Sequence, residues 1–73
     1  MKNVIINGKI STVDAAIEYL TIDGEIDLDT LGYCMTDQNA FNLALNDLSD
    51  RAFTPNELIA RYLEIASENL IID

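Results

Sequence analysis

Four carboxylates stand at every second position in the stretch TIDGEIDLDTL. They belong to Asp23, Glu25, Asp27 and Asp29, and no lysine or arginine occurs anywhere between residues 10 and 50. Closely spaced carboxylates can bind a metal ion, transfer protons in catalysis or contact a cationic partner. The surrounding residue types decide which of these three chemistries is available.

Two segments suggest metal binding, because NGKIS and DGEID each look like the second half of an EF-hand calcium loop. That loop needs oxygen ligands at its first position and a glutamate at its twelfth, around a glycine at its sixth. With Gly24 as the sixth residue, Tyr19 and Thr30 take the two end positions. With Gly8 as the sixth, Asp14 stands where the glutamate is needed. We therefore predict no metal site.

The chain contains few residues that are suited to catalysis. There is no histidine to act as a base near neutral pH, and the single thiol, Cys34, has no histidine to activate it. No glycine-rich phosphate loop occurs, and 73 residues leave little material for a cleft between paired carboxylates of the kind that glycosidases use. We predict that the protein is not an enzyme and has no catalytic residue and no cofactor.

The segment KISTVDAAIEYL resembles the last helix of acyl carrier proteins, a family of similar length and acidity. That family attaches its phosphopantetheine arm to the serine of an Asp-Ser-Leu motif at the start of a helix. The nearest string here is Asp-Leu-Ser-Asp, from Asp47 to Asp50, in which the serine follows the leucine. It lies at a predicted helix end. The resemblance implies a carrier-like domain as a remote alternative, without an attachment site.

The charge balance favours a cationic partner. Thirteen acidic residues against four basic ones give a formal net charge of −9. Segment 10–50 has no base and nine acids: Asp14, Glu18, Asp23, Glu25, Asp27, Asp29, Asp37, Asp47 and Asp50. Such a chain repels DNA, RNA and anionic membranes, so we expect none of these as a direct partner. A basic protein surface is the partner that its charge favours.

An extended conformation over residues 22–28 would align the carboxylates of the opening stretch. Side chains alternate between the two faces of a strand, so the four carboxylates would share one face at a spacing of about 6.6–6.8 Å. Successive phosphates along a nucleic-acid strand have a spacing of the same order. We predict that the following residues contact the partner: Asp23, Glu25, Asp27, Asp29 and Asp37.

Small size, acidity and the lack of catalytic residues are typical of phage- or plasmid-encoded inhibitors of host defence. In these respects the chain resembles anti-CRISPR and anti-restriction proteins. The resemblance implies a nucleic-acid mimic that occupies the groove of a DNA- or RNA-binding protein or complex. An antitoxin or a regulatory protein-interaction module is the alternative, and the alternating acids are then the solvated face of a strand.

The N-terminal stretch MKNVIINGK turns at an Asn-Gly pair before it reaches the length of a signal-peptide core. No apolar run approaches the roughly 18 residues that a membrane span needs. A single cysteine cannot form an internal disulfide. We expect a soluble protein of the cytoplasm, or of the host cell cytoplasm if it is phage-encoded.

Two local signals dominate the secondary-structure prediction. Asn7-Gly8 lies between two β-branched runs and suits a type I′ turn. The string TPNE places Thr54 at the N-cap of a helix, a proline at its first position and a glutamate where it completes a capping box. The full set of predicted elements is strands near 2–6 and 9–11, helix 12–20, a short helix over 30–35, helix 37–49, helix 55–68 and a short strand over 69–73.

These elements predict a single compact α+β domain over residues 1–73, mostly helical, with three to four short helices and a small N-terminal β-hairpin. INGKIST and IDGEIDL repeat at an interval of 16 residues, which indicates two tight turns that each lead into a helix. The apolar run from Tyr33 to Met35 either fills the monomer core or completes a homodimer. The predicted core includes Leu45, Leu48, Leu58 and Tyr62.

Overall fold

A computed structural model describes residues 1–72 of the chain. Its elements, in chain order, are β1 (Val4–Ile6), β2 (Lys9–Ser11), α1 (Val13–Leu20), β3 (Thr21–Ile22), β4 (Glu25–Ile26), α2 (Leu28–Cys34), α3 (Gln38–Leu48), α4 (Pro55–Ile65) and β5 (Leu70–Ile72). Four helices and an N-terminal hairpin confirm the predicted α+β class, and 51% of the chain is helical.

Two hairpins begin the chain, and both turn at a pair of residues with left-handed backbone. Asn7 and Gly8 have φ angles of 51° and 80°, and Asp23 and Gly24 have 53° and 83°, the sign that a type I′ turn requires at both positions. The prediction of one extended segment over 22–28 is therefore wrong. The apolar–acidic alternation resembles a strand, but the Asp-Gly turn reverses the chain within it.

Each hairpin leads directly into a helix, which confirms the interpretation of the 16-residue repeat. The side chain of Thr12 accepts a hydrogen bond from the Ala15 backbone N–H at the start of α1. Asp27 does the same for the Thr30 backbone N–H at the start of α2. Because a cap satisfies a backbone donor that the helix itself leaves open, both helices begin at the hairpin's last residues.

Helix α4 begins as predicted but ends earlier. Thr54 and Glu57 form the predicted capping box, with Pro55 in the first turn. The helix ends at Ile65 rather than at residue 68, because Ala66 takes extended backbone angles (φ −61°, ψ 147°). The next residue, Ser67, then donates its backbone N–H to the side chain of Asp37 instead of to a helical carbonyl.

The chain ends meet in a three-stranded sheet with the order β2-β1-β5. Strand β1 pairs antiparallel with β2 and parallel with β5, so the predicted C-terminal strand is present over 70–72, and Asp73 lies outside the described residues. One sheet face packs on the core. On the other face, Ile5 is the direct cross-strand partner of both Ile10 and Ile71.

The core lies between the inner sheet face and the four helices, and α4 packs against α3 and α1. Leu48, Leu58 and Tyr62 are buried as predicted, whereas Leu45 is only partly buried. The run from Tyr33 to Met35 is divided, because Met35 is fully buried and Tyr33 is 88% exposed. No helix within residues 1–72 has the length and apolar character to cross a membrane.

Candidate partner-binding surface

The second hairpin and the start of α2 present an acidic surface. It consists of Asp23 in the turn, Glu25 in β4, Asp27 at the N-cap of α2, and Asp29 in the first turn of that helix. Asp23, Glu25 and Asp29 are exposed, and Asp27 is partly buried. We call this set the acidic hairpin surface. Its carboxylates are divided between a turn, a strand and a helix, so the regular spacing expected of one extended strand is not formed.

Within this surface, the side chain of Asp27 forms hydrogen bonds at the start of α2. Its Oδ1 accepts the Thr30 backbone N–H at 3.1 Å, and its Oδ2 accepts the Thr30 hydroxyl at 2.7 Å. The hydroxyl bond above all, with the backbone bond, lowers the pKa of the Asp27 carboxyl below its ordinary value, because both bonds favour the charged form. Asp27 therefore caps α2, whereas the carboxylates of Asp23, Glu25 and Asp29 cap no helix in the described part of the chain.

Asp37 lies outside the acidic hairpin surface, at the N-cap of α3. Its Oδ1 accepts the Ala40 backbone N–H at 3.1 Å, and its Oδ2 accepts the backbone N–H and the hydroxyl of Ser67, both at 3.0 Å. The bond from the Ser67 backbone contributes most to lowering the pKa of Asp37. The carboxylate is thus engaged inside the fold, and its contact with a partner stays a prediction.

Cations lie elsewhere on the molecule. Arg51 pairs with Glu57 at 2.9 Å, and Arg61 pairs with Asp47 and with Glu64 at 3.0 Å. Asp47 makes the larger contribution to raising the pKa of Arg61. Within residues 1–72, these ion pairs join α3, α4 and the loop between them, and none reaches the acidic hairpin surface. The charge of the acidic hairpin surface is therefore not neutralised by an ion pair within residues 1–72.

The carboxylates do not converge on a cation site. No group of three or more acidic or cysteine side chains in the described part of the chain is arranged to hold a metal ion. Ser49 does not have the position of the modified serine of a carrier protein. It is the C-cap of α3, and its hydroxyl donates a hydrogen bond to the Asn46 carbonyl at 2.8 Å. A carrier serine stands at the start of a helix instead.

Two depressions flank α2. The larger, of about 540 Å³, lies between α2 and the segment that leads into β5. We call it the α2–β5 groove, and its lining residues are Thr30, Tyr33, Cys34, Thr36, Glu68, Asn69 and Ile71. The smaller, of about 270 Å³, is almost wholly apolar and is lined by Leu31, Gly32, Phe41, Leu45, Phe53 and Leu58.

Sequence reasoning missed the α2–β5 groove. One available signal was the helical spacing of Leu31 and Met35, which are both buried and therefore direct Tyr33 to the opposite side of α2. No local sequence signal indicates that Glu68 and Ile71 lie beside that tyrosine, because their position depends on the pairing of β5 with β1. No family model, curated protein or solved structure matches the chain.

Proposed function

We propose that this protein binds a basic surface of a nucleic-acid-binding protein or complex and inhibits it by competing with the nucleic acid. The proposal rests on one observation above all. Asp23, Glu25 and Asp29 are exposed on the acidic hairpin surface, and no cation of the described chain pairs with them. In this proposal the protein is not an enzyme, and it acts in the cytoplasm of the cell that contains its partner.

Charge of this kind costs the free protein little. Exposed carboxylates repel one another only weakly in bulk water, because its dielectric constant is about 80. Against lysine and arginine side chains, the same carboxylates steer the encounter and form charge-assisted hydrogen bonds. The net charge of −9 disfavours direct binding to a nucleic acid, and so supports a protein that takes the place of one.

Nucleic-acid-binding grooves are the basic surfaces that fit this charge best, because they are built to neutralise closely spaced phosphates. A small acidic domain that blocks such a groove would act as phage- or mobile-element-type inhibitors do, including anti-CRISPR and anti-restriction proteins. The carboxylates of the turn, the strand and the helix would then mimic phosphates through their combined negative charge. They would not reproduce the regular spacing of phosphates along a strand.

A second candidate is an antitoxin or a regulatory module that contacts its partner through apolar side chains. The row of isoleucines on the outer sheet face favours it, since Ile10 is 73% exposed and Ile71 is 54% exposed. Strands β1 and β2 lie within residues 1–11, a segment that includes Lys2 and Lys9 and no acid. This face is therefore distinct in charge from the acidic hairpin surface.

The test compares two variants of equal charge. The first carries Asp23→Asn, Glu25→Gln and Asp29→Asn and keeps the Asp27 cap. The second, the control, carries Asp14→Asn, Asp50→Asn and Glu64→Gln, which lie outside the acidic hairpin surface.

Each immobilised protein is incubated with nuclease-treated lysate of the native host. We expect the parent and the control to retain a nucleic-acid-binding protein that added DNA or RNA, or higher salt, releases, and the first variant to lose it. Equal retention by all three would contradict the proposal and favour the apolar candidate.

A further inference from the structure

We infer that the α2–β5 groove binds an arginine side chain of the basic partner, stacked on Tyr33 and paired with Glu68. This inference rests on the proposed function, because it supposes a basic partner. It adds a specific site and a preference for arginine over lysine, neither of which follows from net charge alone.

Tyr33 provides the stacking surface. Tyr33 is 88% exposed in the last turn of α2, although burying an aromatic ring is worth more than burying most other side chains. A planar guanidinium stacks on an aromatic face and is attracted by its electrons, and arginine does so more often than lysine. Tyrosine is also one of the residue types that contribute most to binding at protein interfaces.

Glu68 provides the carboxylate. Among residues 1–72 it is the one charged residue that lines the groove, and it is exposed. Its carboxylate forms no ion pair and no side-chain hydrogen bond with residues 1–72. A guanidinium can donate two parallel hydrogen bonds to such a carboxylate, which a lysine ammonium cannot do.

The groove is continuous with the acidic hairpin surface. Asp29 precedes Tyr33 by four residues on α2, a spacing that places their Cβ atoms about 5–6 Å apart on one side of the helix. Ile71 forms an apolar wall that can cover the methylene stem of an arginine. One partner surface could therefore contact the acidic hairpin surface and extend an arginine into the groove.

The experiment uses hexa-arginine and hexa-lysine as probes of equal charge. Each peptide is titrated into the isotope-labelled protein, with calorimetry for affinity and amide chemical shifts for location. The groove variants are Tyr33→Ala and Glu68→Gln, and Tyr33→Phe preserves the ring. The matched controls are Tyr19→Ala and Glu18→Gln, an exposed tyrosine and an acid that are adjacent on α1.

We expect hexa-arginine to bind about two- to fivefold more tightly than hexa-lysine, the range of an exposed cation–π contact. Tyr33→Ala should abolish that preference, Tyr33→Phe should retain it, and Glu68→Gln should weaken hexa-arginine more than Glu18→Gln does. The largest shifts should occur at residues 33, 68 and 71.

Equal affinity for the two peptides, or equal losses in the groove and control variants, would overturn the inference. This failure differs from failure of the proposed function. If the Asp23, Glu25 and Asp29 variant loses the host partner while the groove variants keep it, the acidic hairpin surface binds and the groove does not. If the groove variants alone lose hexa-arginine while that acidic variant keeps the host partner, the groove is a cation site and the proposed function fails.

Discussion

At the scale of single residues, Asp37 connects parts of the chain that are distant in sequence. It accepts hydrogen bonds from Ala40 at the start of α3 and from Ser67 just after α4, and its own backbone N–H donates to the hydroxyl of Tyr62. That tyrosine is fully buried, so its hydroxyl needs a partner inside the protein. Burial is the main cause of its raised pKa. One aspartate thus links two helix ends and satisfies a core side chain.

Replacing Asp37 by alanine should destabilise the fold clearly. The change removes the N-cap of α3 and leaves the Ser67 backbone N–H without its acceptor. Asp50→Ala is the control, because Asp50 is exposed and its carboxylate accepts no hydrogen bond within residues 1–72. We expect the urea midpoint to fall for Asp37→Ala and to change little for Asp50→Ala. Equal midpoints for the two variants would show that the Asp37 network adds no stability.

Acid should weaken the protein through the same carboxylates. Asp27 and Asp37 both have folded-state pKa values lowered from an ordinary 3.8. Their contribution to stability is therefore fully present above that value and is lost as the pH falls through the lower folded-state pKa. We expect the free energy of unfolding, measured in urea at pH 6, 4 and 3, to fall below pH 4. The fall should be smaller in Asp37→Ala, and an identical slope in parent and variant would contradict this assignment.

At the scale of elements, a hairpin followed by a helix occurs twice, first as β1-β2-α1 and then as β3-β4-α2. Local signals predicted Asn7-Gly8 and the Thr54 capping box correctly, because turn and cap chemistry acts between neighbours in sequence. Over 22–28 the local signals conflicted, because the period of the apolar residues indicates a strand whereas the repeat and its Asp-Gly pair indicate the turn that is present. The end of α4 was also beyond prediction, since Ser67 leaves the helical pattern for a distant carboxylate. Leu45 lies on the apolar stripe of α3 but borders a depression, so it is only partly buried.

Gly32 offers a test of helix α2. It lies inside the helix, its φ is not left-handed, and an added Cβ would meet no atom within 4 Å. Glycine inside a helix costs about 0.5–1 kcal/mol relative to alanine, so Gly32→Ala should stabilise the protein by up to about that amount in urea unfolding. Gly24→Ala is the contrast, because its φ of 83° strains any side chain. Loss of stability in Gly32→Ala would show that α2 has less helical character than described.

At the scale of the whole molecule, composition shows the net negative charge on which the proposal of a basic partner rests, but not the geometry of the candidate surface. The acidic residues could be located from sequence, yet their division between a turn, a strand and a helix depends on the second hairpin. The α2–β5 groove depends on tertiary structure entirely, because the parallel pairing of β5 with β1 brings Glu68 and Ile71 next to Tyr33. No periodicity or cap indicates such a pairing between the two ends of a chain.

Salt should stabilise the parent protein more than a variant with a neutral hairpin. Charge repulsion within a molecule of net charge −9 opposes compaction and is screened over about 10 Å at 0.1 M salt. The variant with Asp23→Asn, Glu25→Gln and Asp29→Asn removes part of that repulsion, and the gain in stability should be small because exposed charges interact weakly in water.

We therefore expect this variant to unfold at a higher urea concentration than the parent in 10 mM salt, with the difference shrinking in 0.3 M salt. The Asp14, Asp50 and Glu64 variant serves as the control of equal charge. Its gain should be smaller, because Asp14 accepts a hydrogen bond from Asn56 and Glu64 pairs with Arg61. A hairpin variant that is less stable than the parent in low salt would mean that its carboxylates support the fold. They would then be unavailable as a surface for a basic partner, and the loss of binding in that variant would need another explanation.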